Sequence, residues 1–140
     1  MSLDRTVLAE RCSAIDRHLR RVADRLPSSA EALLPASDAS DSVILHLWQA
    51  TQITIDLAIA ACVAFKLGTP ASYADAFRRL ADSGHIETDL ADRLSRAAGF
   101  RNVIAHAYES LDMRRVYHAA STGPADLRAF LASLTDRIPS

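Results

Sequence analysis

The stretch VILHLWQATQITIDLAIAACVAFKL, residues 43–67, is long enough and apolar enough to decide the fold. Its few polar residues include His46, Gln49, Gln52 and Asp56, which are three or four positions apart and so form one narrow stripe along an α-helix. A carboxylate at mid-span would cost about 3 kcal/mol on membrane-insertion scales, which disfavours a membrane span. A helix that is apolar almost all round belongs in the centre of a bundle or at a subunit interface.

The segment before this stretch has the pattern of a helix followed by a connector. Residues 4–26 are predicted to be helical, because their apolar residues are spaced alternately by three and four. Residues 27–40 are rich in Pro, Ser and Asp and form a connector with room for a short helical turn. Ser40 or Asp41 is predicted to cap the central helix, which then runs to Lys66.

Two further helices are predicted after the central one. Ser72 is a suitable N-cap for a third helix, with Asp75 at the position of a capping-box partner, and Gly84 ends that helix. A fourth helix is predicted from about Glu87, and Gly99 is expected to interrupt or kink it, because glycine is a poor helix former.

The C-terminal segment is predicted to contain a short fifth helix and a sixth one. The fifth includes Met113 and Tyr117, and the sixth starts after Gly123 with Pro124 at its first position. No segment shows the alternation of a β-strand over a useful length. We therefore predict one all-α domain over residues 1–140, a bundle of four to six helices.

The charge balance does not by itself require a nucleic-acid partner. The chain has 16 basic and 17 acidic residues, and its formal net charge is −1. A strongly basic surface over the whole domain, the usual electrostatic mark of nucleic-acid binding, is therefore excluded. A local basic site remains compatible with this composition.

Neither the cysteines nor the histidines form a convincing metal-binding pattern. Cys12 and Cys62 belong to no C-x-x-C or C-x-x-H arrangement and are predicted to be buried, reduced thiols. His85 and Asp89 are four apart but supply too few ligands for a metal site. We predict no metal and no cofactor. The N-terminus is charged from residue 4 and has no apolar signal-peptide core, so a cytoplasmic location is expected.

The segment FRNVIAHAYE, residues 100–109, combines side chains that can perform chemistry on a phosphodiester. A guanidinium such as that of Arg101 can hold two phosphate oxygens, and an imidazole such as that of His106 can move a proton near neutral pH. On a helix, Asn102 and His106 share a face. Arg101 and His106 are about 140° apart, so their convergence depends on the reach of arginine or on a kink.

These residue types also allow a structural interpretation of the same segment. Arg101 could pair with a nearby acid, His106 could form a hydrogen bond inside the bundle, and Tyr108 could pack. Asp56 could face the motif and orient His106, or it could pair with an arginine for structural reasons. His118 could line the same cleft as the motif or be exposed.

A resemblance to a known family favours the functional interpretation. The pattern R-N-x3-H-x-Y over residues 101–108 resembles the signature of the HEPN superfamily, and in particular that of HepT toxins. Further similarity lies in G-T-P-x-S-Y-x-D-A-F-x-x-L at residues 68–80, in G-H-I at residues 84–86, and in the long apolar second helix. The blocks follow the same order and cover roughly residues 41–136.

This resemblance implies a fold, an activity and a partner. The fold is an all-α homodimer in which two copies of the motif face one another across a cleft, and the activity is metal-independent cleavage of RNA. Arg101 and His106 are implied to be the catalytic pair, and Asn102 a polar supporting residue. Tyr108 is implied to be the residue that an MntA-like nucleotidyltransferase antitoxin adenylylates. The alternative is a non-catalytic HEPN module that binds nucleotides, or a helical adaptor for such a nucleotidyltransferase.

Overall fold

Five α-helices and two short 3-10 turns make up residues 3–137, the part of the chain that the computed structural model describes. The helices are α1 (Arg5–Arg25), α2 (Asp38–Ala64), α3 (Tyr73–Asp82), α4 (Thr88–Ala107) and α5 (Met113–Arg137). The 3-10 turns are Ala30–Ala32, inside the predicted connector, and Tyr108–Ser110. No strand occurs between residues 3 and 137, and the prediction of an all-α fold is confirmed.

Helix α2 is the central rod of the bundle. It contacts α1, α3, α4 and α5, and both clusters of the apolar core contain its side chains. Leu57 packs in the cluster that contains Phe77 and Phe130, whereas Leu47 packs in the cluster that contains Ile104. By length and composition α2 could cross a membrane, but more than half of its most apolar window is buried among the other helices. It therefore serves as the core of this bundle.

Both ends of α2 are closed by local hydrogen bonds, and the predicted cap, Ser40 or Asp41, was three or four residues too late. Ser37 caps the helix, and its hydroxyl accepts a hydrogen bond from the Ser40 amide at 3.1 Å while the Ser40 hydroxyl accepts one from the Ser37 amide at 3.0 Å. At the other end Lys66 is left-handed, with φ of 60°, and the Leu67 amide donates to the Cys62 carbonyl at 2.8 Å. This is the Schellman arrangement, in which the carbonyls of the last turn are satisfied.

Two predicted breaks do not occur. Helix α4 runs through Gly99 without interruption, and α5 runs through Gly123 and Pro124, which were predicted to separate two helices. A proline inside a helix costs about 3 kcal/mol, because an amide donor is lost and its ring crowds the preceding turn. In α5 the buried residues Val116 and Leu127 lie on either side of the proline, so packing on the core offsets that cost.

The predictions for α1 and α3 are confirmed, and the one for the cysteines is confirmed in part. Asp4 caps α1, and the Ser72 hydroxyl accepts the Asp75 amide at 3.0 Å at the start of α3. Both cysteines are free thiols. Cys62 is buried, whereas Cys12 is only half-buried, because it lies at the edge of the face that α1 turns to the core. Burial raises the pKa of both thiols.

A pair of histidines joins α1 to α2. The Nδ1 atoms of His18 and His46 are 3.0 Å apart, so one ring donates a proton to the other. Burial lowers the pKa of both rings, and the nearby Arg21 lowers both further. For His18, the neighbouring His46 and Arg17 add to the same effect. The folded protein therefore favours the neutral form of both rings more than the unfolded chain does.

Stability is expected to fall when the solution is acidified past the histidine range. The unfolded chain takes up protons near pH 6.5, whereas the folded pair resists them, so its contribution is complete above about pH 6.5 and is lost as the pH falls through the lower folded pKa values. Between about pH 7.5 and pH 5.5 we expect the pair to account for roughly 3 °C of lost Tm, because one side-chain hydrogen bond is worth about 1 kcal/mol. Thermal unfolding, monitored by circular dichroism, measures the Tm at each pH.

The variant His46→Gln isolates the pair, and His118→Gln on the exposed surface of α5 is its matched control. His46→Gln should flatten the dependence of Tm on pH over this interval, and His118→Gln should leave it as in the unmodified protein. The same loss of Tm in His46→Gln as in the unmodified protein would assign the pH dependence to other groups.

Candidate functional site

The last two turns of α4 carry the motif, and the buried face of the helix determines which side chains turn inward. Ala98 and Ile104 are buried, and Arg101, which lies between them on that face, is half-buried. Asn102 and His106 are exposed on another side of the helix. The single chain therefore separates the two ends of the motif, as the angle of about 140° between Arg101 and His106 on an ideal helix leads one to expect.

Arg101 is held between aromatic rings rather than by an acid. Its guanidinium carbon lies 5.1 Å from the centre of the Trp48 ring and 6.0 Å from that of Tyr73, distances at which a cation is attracted to a ring face. Its Nη1 donates to the side-chain oxygen of Asn102 at 3.1 Å. Its Nε is buried and has no hydrogen-bond partner among the described residues. No carboxylate of the described residues pairs with this guanidinium.

Arg101 also lines a cavity of about 570 Å³ between α2, α4 and α5. The walls include apolar side chains such as Trp48 and Phe100, and five arginines surround them: Arg93, Arg96, Arg101, Arg114 and Arg115. Asp126 is the carboxylate among the lining residues, and it pairs with Arg93 at 2.9 Å. The cavity therefore combines an apolar wall with an excess of positive charge, although the chain as a whole is nearly neutral.

The sequence analysis missed most of this basic cavity. Arg93 and Arg96 lie on α4 and Arg114 and Arg115 on α5, and their convergence depends on how these two helices cross α2. The spacing of three between Arg93 and Arg96, which places both on one face, was the available signal. His118 lines the cavity as well, as the sequence analysis allowed. His106 is not among the residues that line it.

Tyr108 is exposed and is held by an acidic residue that the sequence analysis treated only as a helix cap. Its ring is 44% exposed, and its hydroxyl donates to Oδ1 of Asp41 at 2.7 Å. This hydrogen bond joins the 3-10 turn after α4 to the first turn of α2. The hydrogen bond to the Asp41 carboxylate, followed by burial, raises the pKa of Tyr108 to about 12. The phenol is therefore protonated at neutral pH and keeps its donor.

Asp56 lies away from the motif. It accepts a hydrogen bond from Nε2 of Gln52 at 3.0 Å and lines a second, smaller cavity together with Arg11 and Ile53. Asp56 and Arg101 do not line the same cavity within one chain. A supporting role for Asp56 at the motif stays a prediction that the fold of one subunit does not favour. His46 pairs with His18, which is the place in the bundle that the sequence analysis preferred for it.

The described residues offer little to a metal ion. Between residues 3 and 137 no three or more His, Cys, Asp or Glu side chains are grouped closely enough to hold one. The imidazole of His85 instead stacks on Phe65 and accepts or donates a hydrogen bond at the Ser83 hydroxyl, 2.7 Å away. The motif itself presents a guanidinium, an amide, an imidazole and a phenol.

Comparison with known proteins places this geometry in a family. A family model described as Ribonuclease HepT-like matches residues 15–134. The mRNA nuclease HepT of Shewanella oneidensis is 34% identical to this chain over 91 residues, which are 65% of this chain and 68% of that protein.

Solved structures agree with this assignment. The tri-AMPylated HEPN toxin of Shewanella oneidensis, in complex with the MNT antitoxin, is 26% identical, with a TM-score of 0.83 over 93% of this chain and 97% of that one. A toxin–antitoxin complex with AMP-PNP is 25% identical, with a TM-score of 0.85 over 94% and 99%. The cytosolic protein YutE of Bacillus subtilis, 14% identical with a TM-score of 0.81 over 96% and 90%, shares the fold. The chain belongs to the HepT-like ribonuclease family and has the HEPN fold.

Proposed function

We propose that this protein is the ribonuclease toxin of a cytoplasmic toxin–antitoxin pair, a homodimer that cleaves RNA internally without a metal ion. The observation that carries the proposal is the motif on α4, which places Arg101 in a basic cavity and exposes His106 further along the same helix. The mRNA nuclease HepT, a relative with 34% identity, supports RNA as the substrate.

The chemistry follows from the two side chains. Arg101 holds the phosphate and stabilises the charge that develops on its oxygens. The imidazole of His106 takes the proton from a ribose 2′-hydroxyl, whose oxygen attacks phosphorus while the 5′-oxygen leaves and receives a proton. Asn102, which accepts from Arg101, orients the guanidinium. Water supplies the proton to the 5′-oxygen, so one imidazole suffices at each phosphate.

Dimerisation also resolves the separation of the motif within one chain. Arg101 faces the cavity between α2, α4 and α5, whereas His106 is exposed on another side of α4. When two copies of α4 face one another, His106 of one copy can approach the phosphate held by Arg101 of the other. The active site is then shared between the subunits.

A non-catalytic nucleotide-binding module is the second candidate. It is favoured by the same separation of Arg101 from His106, because a cavity with the arginine alone can bind a phosphate but lacks the proton carrier. Under this alternative the protein binds nucleotides or supports a nucleotidyltransferase partner, and RNA incubated with it stays intact.

Substitutions in the motif are expected to abolish toxicity and RNA cleavage. His106→Ala should lower the rate of cleavage by about 10²–10⁴-fold, the usual contribution of a general acid or base. Arg101→Ala should lower it by about 10²–10³-fold through the loss of charge stabilisation. Cleavage of labelled RNA and growth after expression without the antitoxin are the measurements. Arg78→Ala, on the exposed side of α3, is the control and should remain active.

Mixing the two inactive variants tests the shared site. A heterodimer of an Arg101→Ala subunit and a His106→Ala subunit retains one intact combination, so co-expression of the two should restore cleavage to a substantial fraction of the normal rate. Activity that stays absent in the mixture would place both residues in one subunit. Intact RNA and unimpaired growth with the unmodified protein would favour the nucleotide-binding module.

We further propose that a nucleotidyltransferase antitoxin silences the toxin by adenylylating Tyr108. The tri-AMPylated toxin in complex with the MNT antitoxin, a structural relative, supports a modification of this kind. In the reaction the phenolic oxygen attacks the α-phosphorus of ATP and pyrophosphate leaves. Asp41, which already accepts the hydrogen bond of the phenol at 2.7 Å, receives the proton. The added phosphate then repels both Asp41 and the phosphates of RNA.

Asp41→Asn is expected to slow the adenylylation of Tyr108 by about 10–100-fold, because the amide keeps the hydrogen-bond acceptor but cannot take up a proton. The time course of AMP addition in the presence of the antitoxin and ATP, followed by intact mass, measures this. Asp38→Asn is the matched control, since Asp38 is exposed in the same first turn of α2.

Because the pKa of Tyr108 is raised, an unchanged or faster rate of adenylylation in Asp41→Asn would also be informative. Asp41 is the main cause of that rise, so Asp41→Asn also makes the phenol more acidic. Modification at an equal or higher rate in Asp41→Asn would show that phenol acidity limits the reaction, and Asp41 would then not be the proton acceptor.

A further inference from the structure

The cavity between α2, α4 and α5 has more positive charge than the motif requires. Arg93 is paired with Asp126, and Arg114 is paired with Glu31 at 3.3 Å. Within residues 3–137, the other three arginines of the cavity, Arg96, Arg101 and Arg115, form no ion pair with a carboxylate. Guanidinium groups that line one cavity without acidic partners make it a site for an anion, and above all for phosphate.

The apolar wall of the cavity is aromatic where the arginines meet it. Trp48 on α2 lies under Arg101, and Phe100 on α4 lies under Arg115 at 5.3 Å from guanidinium carbon to ring centre. Both rings are half-buried. Aromatic faces beside guanidinium groups are the surroundings in which proteins stack an unpaired base while holding its phosphate.

Arg101 can meet a ligand in this cavity through its Nη atoms. Its Nε is closed off from solvent and has no hydrogen-bond partner among the residues that the structure describes, whereas Nη1 donates one hydrogen to Asn102 and keeps a second. The volume of about 570 Å³ is in the range of sites that bind small organic ligands.

We propose that this cavity is a nucleotide subsite. The base of one nucleotide lies against Trp48 and Phe100, and its phosphate is held by Arg96, Arg101 and Arg115. The nucleotide can come from two sources. One source is an RNA strand, and for it the subsite binds the nucleotide beside the phosphodiester that is cleaved, so this case rests on the proposed function. The other source is a free adenine nucleotide. The shared chemistry is a nucleoside phosphate.

Trp48 provides the measurement, because it is the one tryptophan of the chain. The fluorescence of the full chain carrying His106→Ala, which prevents cleavage, is titrated with three probes: a short single-stranded RNA, AMP, and ribose 5-phosphate, which lacks a base. RNA or AMP is expected to quench Trp48, whereas ribose 5-phosphate, with nothing to stack on the ring, is expected to quench it much less.

Arginine substitutions in the same background test the anion-binding half. Arg96→Ala and Arg115→Ala should each weaken binding of the quenching probe about tenfold, and the logarithmic salt dependence of RNA binding should decrease by about 0.7 for each phosphate that is no longer neutralised. Arg78→Ala on α3 removes an exposed arginine that does not line the cavity, and it should change neither quantity. Thermal unfolding confirms that the variants remain folded.

The outcomes separate the subsite from the nuclease. Quenching by AMP but not by RNA supports the subsite and assigns it to free nucleotides. Quenching that depends on Arg96 and Arg115, with no cleavage by the chain that retains His106, supports the subsite and contradicts the nuclease. Cleavage with no quenching by any probe, or equal losses in Arg78→Ala and Arg96→Ala, overturns the subsite. Variants at Arg96 and Arg115 that change only the sedimentation of the dimer overturn it too, because the cavity is then a subunit interface.

Discussion

The burial of α2 on nearly all sides is the constraint on which the rest of the structure depends. A helix of 27 residues whose side chains are apolar around most of its circumference is stable in water only when other helices surround it. Helices α1, α3, α4 and α5 all contact it. Most side chains on α2 therefore have neighbours in the bundle, although Leu45 and Val63 are exposed, and its polar residues connect it to other elements. His46 meets α1, Trp48 meets α4, and Asp41 meets the turn that follows α4.

The candidate site lies where this enclosure is incomplete. Between α4 and α5 the helices leave a cavity beside α2, and its charged lining consists of five arginines and one carboxylate, that of Asp126. Five arginines and Asp126 give this lining a formal charge of +4, so the other charged residues of the chain, 11 basic and 16 acidic, sum to −5. Positive charge is therefore concentrated at one place on a nearly neutral protein, which suits a site for an anion.

Much of the fold could be predicted from the sequence, because it follows from local spacing. The apolar stripe of α1, the cap at Ser72 and the central position of α2 are all consequences of neighbours within one or two turns. An interruption at Gly99 and a helix start at Pro124 do not occur, because these depend on more than local sequence. Whether a helix continues through a poor helix former depends on the packing of its two flanks, which local propensity does not contain.

The residues of the candidate site also divide into those that local sequence reveals and those that only the fold brings together. The motif from Arg101 to Tyr108 could be found because it is contiguous. The partners of these residues could not be found, since Trp48 is 53 positions before Arg101 and Asp41 is 67 positions before Tyr108. The direction of His106 relative to Arg101 follows from helical geometry alone, and it makes the second subunit part of the hypothesis. The position of a second subunit would depend on the shape and chemistry of the protein surface. The spacing of apolar residues along one chain does not reveal that surface.

The left-handed residue that closes α2 has a practical consequence for handling the protein. Lys66 is the single lysine of the chain, and it lies at the far end of α2 from Asp41, about 37 Å away at about 1.5 Å per residue. Apart from the terminal amine, amine-directed reagents therefore find one side chain, well removed from the arginine cavity and from the tyrosine. A fluorophore, a surface tether or a crosslinker can be attached there in a defined orientation, at the end of α2 opposite the one that Tyr108 contacts.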